Sequence, residues 1–210
     1  MIIASPGTIQ QAESYLLRTD PNLAPIIQAA GPCTLRPHQD YYRELVESII
    51  GQQLSLKAAA AIEARFVAFF EGTFPQPQAI LAADPDDLRA AGLSRAKVVY
   101  IRDLSRHVLD GTIILDRFDA LSNPEIIKEL TAVKGIGEWT VHMFLIFCMG
   151  RLDVLPVGDL GIKNGIRALY GFEAQPTAAD VEQVATANNW HPYESVASWY
   201  VWRSLELELK

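Results

Sequence analysis

The sequence predicts an all-α protein whose helices pack into two lobes. Apolar residues recur at helical spacing along nearly the whole chain, and glycine or proline separates most of these segments from the next. Only Thr112–Leu115 is compatible with a strand, and four residues are too few for a sheet. Half of the 210 residues are apolar and a fifth are charged, so the chain can bury a substantial core.

The predicted helices have recognisable starts or stops. From Tyr42 to Ile50 the apolar residues follow the spacing of one buried face, and the helix ends near Gly51. The next helix is rich in alanine and stops at Gly72. The predicted set is Tyr42–Gly51, Lys57–Phe70, Asp84–Ala91, Ser94–Leu109, Pro124–Val133, Gly137–Met149, Gly161–Tyr170, Thr177–Asn188 and Pro192–Leu207.

The run from Val141 to Met149 is apolar on nearly every face, which indicates a central helix surrounded by others. We expect it to mark the core of the larger lobe. The predicted lobes are residues 39–150 and, in the second lobe, residues 1–38 together with 151–210, with a cleft between them.

Composition excludes several classes of protein. Only two cysteines are present, too few for a disulfide framework, a four-cysteine iron–sulfur cluster or a cysteine-rich zinc site. His38, His107 and His191 have no metal-ligand spacing among themselves or with nearby acids, so no catalytic metal is expected. No window holds the ~18 apolar residues of a membrane span, and the N-terminus does not resemble a signal peptide. We therefore expect a cytoplasmic protein.

The charge of the chain is uneven. A formal net charge of −7 argues against nonspecific adhesion to nucleic acid, which usually needs an excess of lysine and arginine. From Arg89 to Arg106, however, the sequence contains five basic residues and a single acidic residue, Asp103. Such a stripe is typical of a solvated helix face, and it also fits a local phosphate-binding surface.

The most informative segment is Leu130–Thr140, in which Gly135-Ile136-Gly137 separates two predicted helices. Glycine permits a positive φ and removes the side chain, so the backbone can approach another molecule closely. Amides at such a turn and at the start of the next helix can bind a phosphate without lysine or arginine. The same pattern also fits an ordinary helix–turn–helix corner.

A second informative position is Asp159, which follows a loop with Pro156 and Gly158 and precedes a predicted helix. In isolation it is typical of an N-cap that accepts the unpaired amides of the first turn. The same donors hold a carboxylate ionised, as the electrostatic partner of a developing cation must be.

The chain resembles the helix–hairpin–helix (HhH-GPD) DNA glycosylase superfamily in three features. These are the turn Lys134–Gly137 between two helices, the apolar helix after it, and Asp159. Ile50–Ser55 looks like that family's loop that fills the gap left by an extruded base. Gly92–Lys97 looks like its second DNA-facing turn. The resemblance covers about residues 37–205 and implies an all-α fold with the hairpin at 130–140.

Within this superfamily the chain is most similar to the branch of DNA-3-methyladenine glycosylase II. Trp190–Tyr193, with Trp199 and Trp202, resembles the C-terminal helix of that branch. Trp139 stands where strand-cleaving members carry a nucleophilic lysine, so lyase chemistry is not expected. The four C-terminal cysteines of the iron–sulfur relatives are also missing.

The resemblance implies a role for individual residues. Asp159 is the expected catalytic residue, and Gln53 and Leu54 form the expected DNA wedge. The base pocket is expected at Trp139, Met143 and Trp202. The DNA backbone is expected to contact Lys134, Gly135, Ile136, Gly137, Ser94 and Lys97. Main-chain oxygens of a further set could hold a structural monovalent cation, namely those of Thr131, Val133 and Gly135.

Some residues depart from the family pattern or are given a structural interpretation. Gly158 and Glu194 replace residues that are commonly acidic and basic, and Met143 replaces a common aromatic. The methionine favours a more adaptable pocket. His142 is interpreted as a core histidine, and Trp190 and Trp199 as core residues.

The resulting hypothesis is a monofunctional glycosylase that excises alkylated purines such as 3-methyladenine and 7-methylguanine in base excision repair. Its expected partner is double-stranded DNA containing alkylated bases, which it would bind as a monomer with base flipping. No cofactor is required for this chemistry. The alternative is a noncatalytic helix–hairpin–helix module, which would bind DNA without releasing a base.

Overall fold

The structure is a computed structural model that describes residues 2–207. The prediction of an all-α fold is confirmed, because these residues form helices and a single isolated β-bridge between Ile3 and Arg151. Within this range no helix is both long enough and apolar enough to cross a membrane. The chain divides into a central unit, residues 40–144, and a terminal unit formed by residues 2–39 and 145–207.

The central unit contains seven α-helices and one 3₁₀ helix at Leu115–Ala120. Its core includes the place where the third and seventh helices of the chain meet. The third helix buries Leu45 and Ile49 completely, and the seventh buries Ile101 and Leu104. The helices are α3 (Tyr41–Gly51), α4 (Leu56–Phe69), α5 (Pro77–Ala82), α6 (Pro85–Ala90), α7 (Arg95–Leu109), α8 (Asn123–Leu130) and α9 (Glu138–Met143).

The terminal unit is built around its last helix, which buries Val196, Ala197, Tyr200 and Val201. That helix packs against both the N-terminal helices and the helix that follows Asp159. The helices are α1 (Pro6–Thr19), α2 (Ala24–Ala30), α10 (Leu160–Tyr170), α11 (Ala178–Ala187) and α12 (Glu194–Ser204).

Asp20 binds two aromatic side chains of the terminal unit. The Asp20 carboxylate is fully buried and accepts the Tyr170 hydroxyl at 2.6 Å and the Trp190 indole N–H at 2.7 Å. Its other oxygen accepts the backbone N–H groups of Asn22 and Leu23. The prediction that Trp190 belongs to the core is therefore confirmed.

The predicted helix Gly137–Met149 is wrong as one regular helix. The α-helix ends at Met143, and a π-helix follows over Phe144–Cys148. An apolar run carries no sequence signal for this change of hydrogen-bond pattern, and short π-helical segments are frequent at functional sites. Residues 145–150, expected in the central lobe, belong to the terminal unit.

Sequence analysis missed three α-helices and misplaced three helix ends by two or three residues. Helices α1, α2 and α5 were not predicted. The helix expected over Pro124–Val133 ends at Leu130, and the helix expected over Pro192–Leu207 spans Glu194–Ser204. The segment compatible with a strand, Thr112–Leu115, instead leads into the 3₁₀ helix.

Candidate active site

Asp159 is the N-cap of α10 and is 9% exposed. Its Oδ1 atom accepts the backbone N–H of Ile162 at 2.8 Å and the indole N–H of Trp202 at 2.8 Å. Two donors that converge on one oxygen fix the direction of the carboxylate. The capping interpretation and the catalytic interpretation are therefore compatible, because the cap is what orients the acid.

Trp202 reaches Asp159 because α12 and α10 approach each other closely. A Cβ atom on Gly161 would lie 2.9 Å from the indole Cδ1, and one on Gly165 would lie 2.8 Å from the carbonyl oxygen of Val201. The ring of Phe147 covers the indole at a centroid distance of 5.6 Å and an angle of 30°.

Sequence analysis missed these supporting residues. Two glycines four residues apart inside a helix were an available signal, since each costs about 1 kcal/mol relative to alanine and needs a packing reason. The contact of Phe147 had no such signal in the sequence.

In the central unit, the hairpin between α8 and α9 is held by buried Val133 and Ile136. Gly135 has a φ of +82°, and a Cβ atom there would lie 2.1 Å from the ring of Tyr100. Glycine is thus required at this position both for its backbone conformation and for the close approach of Tyr100.

The expectation that all four amides of Lys134–Gly137 face a phosphate is corrected. The N–H of Lys134 donates to Asp103 Oδ2 at 3.0 Å, and that of Ile136 donates to the Val133 carbonyl at 3.1 Å. Among residues 2–207, the N–H groups of Gly135 and Gly137 have no hydrogen-bond acceptor. These two groups are therefore available to donate to a phosphate. The Lys134 side chain is 67% exposed, with Nζ 3.7 Å from Asp103 Oδ1.

A cavity of about 690 Å³ lies in the central unit beside the hairpin. It combines predicted pocket, wedge and turn residues from three separate segments of the chain, and Trp139 within it is 50% exposed. The lining residues are Ser48, Gly51, Gln52, Gln53, Leu54, Ser94, Ala96, Lys97, Tyr100, Gly135, Trp139, Thr140 and Met143.

The turn after α3 carries the two predicted wedge residues at the surface. Gln53 is exposed and has a φ of +59°, and Leu54 is 38% exposed. The neighbouring Gln52, which sequence analysis missed, donates its side-chain amide to the Gly135 carbonyl at 2.8 Å. This bond connects the predicted wedge to the hairpin.

Lys97 lies in the first turn of α7, whose N-cap Ser94 accepts the Lys97 backbone N–H. Its ammonium donates to the carbonyl of Ile50 at 2.8 Å and to that of Gln52 at 2.9 Å. Burial lowers the pKa of this side chain. The ammonium is thus engaged inside the protein, and its predicted contact with a phosphate stays a prediction.

His142 lies beside the hairpin helix and is buried, as interpreted from the sequence. Burial lowers the pKa of its imidazole. The Glu138 carboxylate, 3.7 Å away, partly opposes this shift. A histidine with a lowered pKa is neutral at physiological pH, which fits a core role.

The cation site was predicted at three main-chain oxygens. Two of them accept a hydrogen bond from the protein. The Val133 carbonyl accepts the Ile136 N–H, and the Gly135 carbonyl accepts the Gln52 amide. Each carbonyl oxygen has two lone pairs, so one acceptor direction remains on each. Carbonyl oxygens of this kind fit a monovalent cation.

The comparison with known proteins agrees with this fold. Residues 46–189 match the model of the HhH-GPD superfamily of base excision DNA repair proteins. The chain therefore belongs to this superfamily, and the predicted resemblance is confirmed.

Individual relatives are similar over nearly the whole chain. DNA-3-methyladenine glycosylase 1 of Schizosaccharomyces pombe is 35% identical over 205 residues, which are 95% of this chain and 89% of the relative. A solved structure of the fission yeast 3-methyladenine DNA glycosylase Mag1 with abasic DNA superposes with a TM-score of 0.81 at 35% identity, covering 94% and 98% of the two chains. A DNA-3-methyladenine glycosidase of Bacillus halodurans gives a TM-score of 0.83 at 36% identity, covering 95% and 89%.

Proposed function

We propose that this protein is a monofunctional DNA glycosylase that removes alkylated purines, such as 3-methyladenine and 7-methylguanine, in base excision repair. Its membership in a base excision repair superfamily and the names of its relatives support an N-glycosylase. The observation that carries the proposal is Asp159, a buried carboxylate whose Oδ1 is held by Ile162 and Trp202.

The role of Asp159 follows from the charge that develops in the reaction. As the bond between the sugar C1′ and the base nitrogen breaks, its electron pair neutralises the cationic base, and positive charge develops on the sugar. A fixed carboxylate stabilises that charge without reorganisation. The oxygen of a water molecule then bonds to C1′, and its proton passes to the carboxylate or to solvent. The products are a free base and an abasic site.

The central unit supplies the aromatic and apolar surface that an alkylated purine needs. Trp139 is half exposed and lines the cavity together with Met143. A cationic base is attracted to the electron-rich face of an indole. The thioether of Met143 adapts to bases of different shape. We assign Trp202 to the orientation of Asp159 rather than to a pocket wall.

DNA binding is proposed at the hairpin and the Ser94 turn. The N–H groups of Gly135 and Gly137 can each donate to a phosphate oxygen, and the exposed Lys134 side chain adds a positive charge. Gln53 and Leu54 then enter the stack as the lesion rotates out. Binding through amides explains how a chain with a net charge of −7 can bind DNA.

A structural monovalent cation is part of the proposal for the hairpin. The main-chain oxygens of Thr131, Val133 and Gly135 would hold it, and it would supply positive charge beside the phosphate.

We further propose that the protein acts as a cytoplasmic monomer, which is associated with the nucleoid while it acts. Sedimentation of its DNA complex tests the oligomeric state.

The test is incubation of the wild type with methylated duplex DNA, followed by chromatography of the released bases and of the DNA. We expect free methylpurine, an abasic strand that stays uncut, and no covalent adduct after borohydride reduction. A borohydride-trapped adduct would contradict the monofunctional assignment. Duplex binding without any base release would instead favour the noncatalytic module.

A further inference from the structure

The turn between α3 and α4 holds a conformation that needs support from its surroundings. Gln53, with a φ of +59°, lies in the left-handed region that residues with a side chain rarely adopt. Such a conformation persists only where neighbouring contacts fix it. Gln53 and Leu54 are themselves exposed, so the contacts that fix this turn must come from neighbouring residues.

Lys97 supplies that support from α7. The carbonyls of Ile50 and Gln52, which accept its ammonium at 2.8 and 2.9 Å, lie at the end of α3, where a helix leaves its last oxygens without intrahelical donors. A cation at this end also interacts favourably with the helix dipole. Two of the three ammonium N–H groups are thus used inside the protein.

The same turn is also bound by the hairpin. The Gln52 side chain donates to the Gly135 carbonyl at 2.8 Å, and the Lys97 backbone N–H donates to Ser94 Oγ. Lys97 and Gln52 therefore join three segments that the proposed function places on DNA. These are the wedge turn (residues 52–54), the turn that contains Ser94, and the hairpin.

We propose that Lys97 is a positioning residue for base extrusion, which fixes the wedge turn through its bonds to Ile50 and Gln52 instead of binding a phosphate. This inference rests on the proposed glycosylase function. It predicts that removal of the ammonium loosens residues 52–54 and slows base release from duplex DNA. Release from a single strand, where no stack must be opened, depends on it much less.

The experiment compares Lys97→Met, which keeps a long unbranched side chain, with Lys97→Arg and with Lys128→Met. Lys128 is exposed on α8, so its substitution removes the same charge elsewhere in the central unit. For Lys97→Met we expect about tenfold faster amide hydrogen exchange in the wedge turn and about tenfold slower single-turnover release of 7-methylguanine from duplex. Lys97→Arg retains two donors and restores most of both values. Lys97→Gln replaces the methionine variant if that variant does not fold.

The dependence of duplex affinity on salt separates the two roles of Lys97. A positioning residue leaves the slope of log K against log[salt] unchanged, whereas loss of a phosphate contact lowers it by about one. A lowered slope with unchanged exchange in the turn would overturn the proposal, as would equal slowing on duplex and single strand. If the wild type releases no base, the proposed function and this role fall together, while the exchange rates still report whether Lys97 holds the turn.

Discussion

Asp103 Oδ2 accepts the backbone N–H of Lys134 at 3.0 Å, so a side chain of α7 anchors the hairpin. The Asp103 side chain is only 10% exposed and also lies 3.5 Å from Arg106 and 3.8 Å from His107. The single acid within the basic stripe is therefore the residue that shapes the proposed DNA-binding turn.

Replacement of Asp103 by alanine should loosen the hairpin. The Lys134 N–H would lose its acceptor, which costs about 1–3 kcal/mol of unfolding free energy, and duplex affinity should fall with it. Chemical denaturation and fluorescence anisotropy with labelled DNA measure the two effects. Asp116→Ala removes the same charge at an exposed site and is the control. Equal behaviour of the two variants would contradict the anchoring role.

Gly135→Ala should destabilise the protein by more than about 2 kcal/mol, because the added methyl meets Tyr100 and the φ of +82° disfavours a side chain. Gly137→Ala has no neighbour within 4 Å and a φ of −97°, so its unfolding free energy should stay near that of the wild type. Thermal and urea unfolding decide between them. A second change, Tyr100→Ala, should recover only the steric part of the loss.

Trp202→Phe keeps an aromatic ring and removes the N–H that binds Asp159. We expect single-turnover base release to slow at least about tenfold, since a hydrogen bond to a charged group contributes about 1.5–3 kcal/mol, while duplex affinity stays unchanged. Trp199→Phe on the same helix is the matched control, since that ring packs against Tyr200 at 4.9 Å. A loss of affinity with no loss of rate would show that Trp202 contacts DNA or the base instead.

His142 gives a pH dependence of stability with a definite sign. Burial holds the pKa of its imidazole below 6.5 in the folded state, so the unfolded chain binds a proton first as the pH falls. The stability that the neutral imidazole contributes is complete above pH 6.5 and is lost as the pH falls through the folded pKa. Relative to His142→Gln, the wild type should lose unfolding free energy as the pH falls below 6.5. Parallel curves for the two proteins would contradict this sign.

Local signals in the sequence predicted the parts of the site that depend on short motifs. The hairpin glycines and the N-cap Asp159 each occupy a position that backbone geometry dictates, so they could be identified without tertiary information. Helix α1 carried comparable signals in Ser5 and Pro6, which form its cap and its first position, and these were overlooked.

The remaining contacts depend on which helices meet, and sequence spacing does not encode that. Gln52 and Gly135 are 83 residues apart, and Asp103 and Lys134 are 31 apart, yet both pairs form hydrogen bonds. The basic stripe likewise gave no indication that the Lys97 ammonium faces α3. Long-range pairs of this kind arise from packing.

The most direct test of the account is Asp159→Asn. Asparagine is as good an N-cap as aspartate, so α10 should stay intact while the negative charge is lost. Asp84→Asn, the same exchange at the N-cap of α6, controls for the cap itself. The account predicts that Asp159→Asn binds methylated duplex as tightly as the wild type and releases methylpurine at least about a hundredfold more slowly under single turnover. Base release by Asp159→Asn at the rate of the wild type would contradict the assignment of Asp159 as the catalytic residue.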